Sequence, residues 1–174
     1  MKKLFWIDLE MTGLDEKTDV IIEVAVIVTD LDFNALETYN EAVFQNQTAL
    51  DGMDDWCKKT HGESGLTERV KTGKPLAKTE EDLLAIVARH FASDERVVLC
   101  GNSVGNDKRF IDKYMPTLAK KLHYRILDVS SFKVIFKSKY NIKFEKKKSH
   151  KALEDIQESI NEIKAYLSHV HIQK

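Results

Sequence analysis

Lys2-Lys3-Leu4-Phe5-Trp6-Ile7-Asp8-Leu9-Glu10-Met11-Thr12-Gly13-Leu14 is the stretch whose reading decides the fold. It is largely apolar and reads as a β-strand that the turn chemistry of Thr12-Gly13 brings to an end. Side chains two apart leave the same face of a strand, so Asp8 and Glu10 emerge together. Phe5, Ile7, Leu9 and Met11 mark the strand as central, where isolated acids are costly. Two carboxylates side by side repel unless cations lie between them or one takes up a proton. An Asp-x-Glu pair by itself is more often exposed on the solvated face of a sheet; the apolar company of this one argues otherwise.

Outward from that strand, the β-branched residues 20–29 predict a second strand, 30–34 a hairpin connection and 36–45 a third strand. Strands joined by turns this short are expected to be antiparallel. Residues 51–74 turn polar and predict two short helices, around 54–60 and 66–71. Thr79-Glu80-Glu81-Asp82 predicts the cap of a helix whose Leu83, Ile86, Val87 and Phe91 recur at helical spacing. Residues 97–100 read as a short buried strand. Gly101-Asn102-Ser103 then turns into a helix over 105–114, and Pro116 starts another. A fifth strand is expected over 124–129 and a helix near 131–138. The last helix carries Leu153, Ile156, Ile160, Ile163 and Leu167 as one core-facing stripe. These elements predict an α/β fold: a mixed five-stranded sheet, three antiparallel strands and then parallel ones, flanked by helices. A length of 174 residues fits a single domain over 1–174.

Composition narrows the function classes. The chain is 43% hydrophobic and 32% charged, which excludes a disordered chain. Lys and Arg number 27 against 28 Asp and Glu, a net charge of −1. A protein that tracks long nucleic acid usually carries a strong positive field, so near-neutrality points to a short or small anionic substrate. Cys57 and Cys100 match no metal or redox spacing and are expected to be free buried thiols in a reducing compartment. No signal-peptide pattern is visible. The longest apolar run, 24–28, is too short to span a bilayer. A cytoplasmic protein without membrane association is expected. Residues 133–151 hold eight lysines against one glutamate, read as either a solvated surface or a phosphate-attracting rim.

Three further residues join the first two acids. Asp107 falls in the first turn of a helix, where a carboxylate is commonly just a helix-start residue favoured by the dipole. Asp155 lies one position before the core residue Ile156 and flanks the buried stripe. His150 follows Lys146-Lys147-Lys148-Ser149 at a loop or helix entrance, where a lone histidine is usually solvated.

Taken in order, these segments resemble the oligoribonuclease family, the histidine-bearing DEDD 3′-to-5′ exonucleases of the ribonuclease H-like fold. The resemblance rests on Trp6-Ile7-Asp8-Leu9-Glu10-Met11-Thr12-Gly13-Leu14 and Met53-Asp54-Asp55-Trp56. It continues through Gly101-Asn102-Ser103, Asp107-Lys108-Arg109-Phe110 and Tyr114-Met115-Pro116. His123-Tyr124-Arg125, Leu127-Asp128-Val129-Ser130 and His150-x-Ala152-x-x-Asp155-Ile156 complete it, over roughly residues 4–167. It implies an exoribonuclease that degrades RNA of two to a few nucleotides to 5′-mononucleotides with two divalent ions, Mg²⁺ or Mn²⁺. It implies that Asp8, Glu10, Asp107 and Asp155 are the metal-binding acids and His150 the general base. Leu14 and Trp56 fall where the family packs apolar groups against bases, and Ser103 where it binds the terminal phosphate. Tyr124, Arg125 and Ser130 resemble residues supplied by a second subunit, which implies a homodimer. Asn106, Ser131-Phe132 and the region 135–148 depart from the family pattern.

Two metal ions about 3.5–4 Å apart can activate water, neutralise phosphate and stabilise the leaving 3′-oxygen. Asp8 is expected to bridge them, with Glu10 and Asp155 towards the nucleophile. A near-neutral His150 would accept the water's proton. The competing readings are a DNA proofreading or repair exonuclease with the same acids, and a silent nucleic-acid-binding module. The silent module would be expected to have lost an acid or the histidine.

Overall fold

The computed structural model describes residues 2–145 and 151–171. The elements run β1 (Lys3–Met11), β2 (Ile21–Asp30), β3 (Ala35–Ala42), α1 (Gln47–Asp51), α2 (Asp55–Glu63), α3 (Leu66–Val70), α4 (Leu76–His90), β4 (Val97–Gly101), α5 (Gly105–Tyr114), α6 (Pro116–Ala119), β5 (Leu122–Asp128), α7 (Val129–Tyr140) and α8 (Ala152–Leu167). The strands form one sheet in the order β3-β2-β1-β4-β5. β1–β2 and β2–β3 are antiparallel, while β1–β4 and β4–β5 are parallel. The mixed five-stranded sheet flanked by helices is the architecture the sequence pattern predicts.

β1 lies at the centre, and its two faces feed two cores. Phe5, Ile7, Leu9 and Met11 pack with Leu83, Ile86 and Phe91 of the α4 region and with Phe110 and Ile111 of α5. Leu4 and Trp6 take the opposite face and pack with Phe136 of α7 and Ile156, Ile160, Ile163 and Tyr166 of α8. A one-residue slip in pairing would exchange these rows, so the two cores together fix the register. Asp8 and Glu10 continue the row of Leu4 and Trp6 beyond the point where apolar residues stop. The strand therefore turns from apolar to acidic towards its C-terminal end, on the face that α8 covers.

Boundaries differ from expectation where local chemistry was misread. α4 begins at Leu76, and Pro75 rather than the Thr79 segment occupies the cap position. Proline's fixed φ and missing N–H suit a helix start, and Thr79 is buried inside the helix. β3 ends at Ala42, because Asn46 caps α1, which the sequence reading did not expect, by accepting a hydrogen bond from Ala49 N at 3.0 Å. β5 begins at Leu122, and α7 spans more than its expected core.

Candidate active site

Oxygen atoms of Asp8, Glu10 and Asp155 lie within 4.8 Å of one another. Asp8 and Glu10 come from the C-terminal half of β1, and Asp155 from the first turn of α8. Asp155 owes its place to the α8 stripe: Ile156, one residue on, is buried in the core, which turns the preceding carboxylate towards the sheet edge. The helix N-terminus favours a negative charge at that position. Burial is the main cause that pushes the Glu10 carboxyl up to about 8, helped by the nearby charges of Glu23, Asp155 and Asp107. Neighbouring acids therefore raise one another's protonation within this half-buried trio. Carboxylate oxygens in this arrangement are the donor set a hard divalent cation selects.

Asp107 stands beside this trio in the first turn of α5 and is buried. Its Oδ1 accepts a hydrogen bond from Leu9 N at 2.9 Å, which ties α5 to β1 between the two strand acids. Burial pushes its carboxyl up to about 7 against the lowering effect of that bond. Gly101, at the end of β4, makes the close approach possible: a Cβ there would lie 2.9 Å from Ile7 O. His150 lies outside the described residues.

An apolar-floored cavity of about 370 Å³ opens directly beside Glu10, lined also by Leu14, Trp56, Cys57 and His61. Leu14 and Trp56 are 65% and 60% exposed, yet the backbones that carry them are held. Asp54 caps α2 by accepting from Cys57 N at 2.7 Å, which fixes Trp56 in the first turn. Arg109 reaches from α5 to Leu14 O at 3.2 Å and to Glu16 at 3.2 Å, and Tyr114 donates to Asp19 O at 2.6 Å. Inside the loop, Asp19 accepts from Thr12 Oγ1 at 3.0 Å and from Asp15 N at 2.9 Å, and only a glycine at 13 leaves room for its carboxylate. One helix, α5, therefore positions both an acid and the loop that presents Leu14.

In sequence, residues 5–163 match the RNase_T exonuclease family. The oligoribonuclease of Francisella tularensis subsp. tularensis (strain WY96-3418) is 47% identical over 165 residues, covering 94% of this chain and 93% of that protein. The chain belongs to the oligoribonuclease family. The oligoribonuclease of Ectopseudomonas mendocina is 45% identical over 170 residues, covering 95% and 94%. In fold, the chain is similar to Escherichia coli exonuclease I in complex with a dA16 oligonucleotide, with a TM-score of 0.73 at 11% identity. The zinc-bound form of the same enzyme with single-stranded DNA gives 0.77 at 13%. Each comparison covers 97% of this chain but only 41% of exonuclease I, so the chain spans about two fifths of that protein.

The other residues that family resemblance singles out fall in two places. Ser103 and Ser130 meet at Asp128, which accepts from Ser103 N at 2.9 Å, from Ser130 N at 2.9 Å and from Ser130 Oγ at 2.6 Å. Asp128 pairs with Gly101, so both serines sit at the C-terminal ends of the parallel strands, where open α/β sheets bind ligands. Tyr124 and Arg125 do not join them. Tyr124 precedes Asp128 by four residues, about 13 Å along a strand, and β4 stands between β5 and β1. Tyr124 is 76% exposed, with the His123 ring stacked at 4.5 Å and the Arg125 guanidinium 5.1 Å from its ring. A hollow of about 840 Å³ lies here along the β5 edge and is lined by none of the clustered acids. It marks an unfilled edge rather than the chemistry.

Sequence reasoning did not single out His61 or Arg109. His61 is buried, with Nε2 3.1 Å from Met11 O, which joins α2 to the end of β1. Its spacing of four from Cys57, the other buried residue of α2, is the signal that was available. Arg109 acts on a loop 95 residues away in sequence, and no local pattern predicts that. Cys57 and Cys100 are free and buried as expected, and burial pushes their thiols up to about 11 and about 12.

Proposed function

We propose that this exonuclease removes nucleotides from the 3′ ends of RNA two to a few nucleotides long and releases 5′-mononucleotides. Family membership supplies the reaction class, hydrolysis by a nuclease. The observation that carries the finer reading is the juxtaposition of the Asp8–Glu10–Asp155 oxygens with the Leu14–Trp56 cavity, which puts a cation-holding cluster beside a base-sized slot. The donor set fits divalent cations, and we assign two, Mg²⁺ or Mn²⁺, to Asp8, Glu10, Asp155 and Asp107. Bound there, they would supply Lewis-acid stabilisation of the phosphate and of the leaving oxygen. The chain's own residues do the rest. Trp56 and Leu14 clamp the terminal base, since bases stack on aromatic rings whatever their sequence. Ser103 and Ser130 offer polar groups to the far phosphate. His150 takes the proton of the attacking water. Replacing His150 by alanine is expected to lower turnover while sparing substrate binding; lost binding with unchanged single-turnover chemistry rejects that role.

The preference for short RNA requires a second wall. Tyr124 and Arg125 lie far from their own acids, which supports a role in closing the site of a second copy, and we therefore assign a homodimer. Ser130 sits beside Ser103 of its own chain, so we assign it to that chain's site rather than to its partner's. We take residues 1–174 as one exonuclease domain. Among the described residues no helix is long and apolar enough to cross a membrane, and we assign the cytoplasm.

The deciding test is cleavage of 5′-labelled RNAs of two, five and twenty nucleotides with Mn²⁺ or Mg²⁺ and with a chelator. Fast, chelator-sensitive loss of the dinucleotide with a slow twenty-mer is expected. Equal or faster loss of the long strand moves the protein among general exonucleases. A DNA-end reading has the exonuclease I fold behind it, and the same series made in DNA measures it directly.

A further inference from the structure

Across the antiparallel pair, Glu23 of β2 stands directly opposite Glu10. Directly opposed side chains have Cβ atoms about 4.5–5.5 Å apart, and like charges in that position destabilise a sheet. Glu23 shares its row with Ala25 and Ile27, which pack into the α8 core, so both carboxylates face α8. Glu23 is 2% exposed, and its Oε1 accepts from Arg69 Nη1 at 2.9 Å. Arg69 reaches in from α3 and is 45% exposed. After burial, Glu23 is the first of the charges that raise Glu10.

A glutamine would fill the place of Glu23 without charge cost, so an acidic residue at this point needs a reason. Unpaired, it would be a fifth carboxylate within reach of the acid cluster, and a hard cation takes carboxylate oxygens wherever they converge. A guanidinium is planar and weakly hydrated, which suits it to holding one buried carboxylate firmly. We propose that Arg69 is a positioning residue that occupies Glu23 and so keeps this fifth carboxylate out of the cation's coordination sphere. The ion is then seated by Asp8, Glu10 and Asp155 instead of being drawn towards β2. The proposal rests on the metal-holding reading of those three residues. If Arg69 merely fastened α3 to the sheet, removing either partner would have the same sign of effect on the site.

The test is a mutant cycle read by Mn²⁺ binding, with free Mn²⁺ followed by electron paramagnetic resonance, alongside dinucleotide turnover. Arg69→Met bares a negative charge and should bind Mn²⁺ about tenfold more tightly, as one net charge at short range commonly does, while turnover falls. Glu23→Gln bares a positive charge that water can still reach, and should weaken Mn²⁺ binding by roughly the same factor. The double variant should return both readouts towards the parent. Shifts of the same sign, no shift, or a double variant no closer to the parent than the singles overturn the proposal. If Arg69→Met fails to fold, Glu23→Gln and the double variant still decide: weakened binding that the double variant recovers supports the proposal, and unchanged binding in Glu23→Gln refutes it. An Asp8→Asn control that binds Mn²⁺ like the parent would instead remove the metal reading itself.

Discussion

The acid cluster and the β5 edge lie in the same sheet but are built in opposite ways. At the cluster, every described carboxylate is fixed by packing within one chain: Asp8 and Glu10 by the alternation of β1, Asp155 by the α8 stripe, Asp107 by its bond to Leu9 N. At the β5 edge, Tyr124 and Ile126 are exposed and Arg125 leans on Tyr124 instead of on the core. Folding alone brings the acids together, whereas Tyr124 and Arg125 lie at an exposed edge away from them. Under the proposed dimer, the contrast separates residues whose role would follow from folding from residues whose role would follow from assembly.

The largest effect is expected where the fold alone makes the site. Asp155→Asn removes one of three clustered charges without changing shape, and should lower dinucleotide turnover by on the order of a thousandfold, in line with the several kcal/mol that metal stabilisation supplies. A loss below tenfold would place the chemistry elsewhere.

A mixing experiment strikes at the contrast itself. An Asp8→Asn chain has intact Tyr124 and Arg125; a Tyr124→Ala/Arg125→Ala chain has intact acids. Each alone should be nearly inactive on dinucleotides. Co-refolded in equal amounts, half of the dimers are mixed and each has one complete site, so activity should recover to about a quarter of the parent's in a closed two-fold assembly. No recovery above the sum of the two parts would mean that Tyr124 and Arg125 do not serve a partner's site. Trp56→Ala tests the pocket within one chain: loss of a base stack worth about 1–3 kcal/mol should raise KM by roughly ten- to a hundredfold, with a smaller change in kcat.

The same contrast explains what was legible in the sequence. Periodicity carries the core, so β1, β2, α5 and α8 could be placed and the three clustered acids came with them. Whatever depends on contacts between distant segments could not be read: the Arg109 bond to Leu14 O, the buried His61, the Arg69–Glu23 pair. The start of α4 was misplaced because Thr79-Glu80-Glu81-Asp82 imitates a cap inside a helix that Pro75 had already begun. Tyr124 and Arg125 were legible only through family resemblance, since an edge-strand residue looks the same whether it meets solvent or a partner; Ser130, at the start of α7, was likewise singled out only by that resemblance. The lysine-rich stretch stays divided: Lys133, Lys137 and Lys139 are exposed along α7, and residues 146–150 lie outside the described residues.

The smallest effect is in stability, and its sign is informative. Glu10 is raised from an ordinary 4.5 to about 8, mainly by burial and then by Glu23, Asp155 and Asp107. A carboxyl raised on folding holds its proton longer in the native state than in the unfolded chain, so the native state binds more protons between these two values. Stability must then fall as pH rises across that window. Without metal, the midpoint of thermal unfolding should therefore drop by a few degrees between about pH 5 and pH 8, as 1 kcal/mol corresponds to roughly 2–4 °C in a domain of this size. A divalent cation meets the ionised form, so its stabilising effect should be smallest near pH 5 and grow towards pH 8. Glu10→Gln should flatten both trends, while Tyr124→Ala, at the exposed β5 edge, should change neither. A metal-induced gain that is independent of pH would mean that the cation binds without relieving the acid cluster.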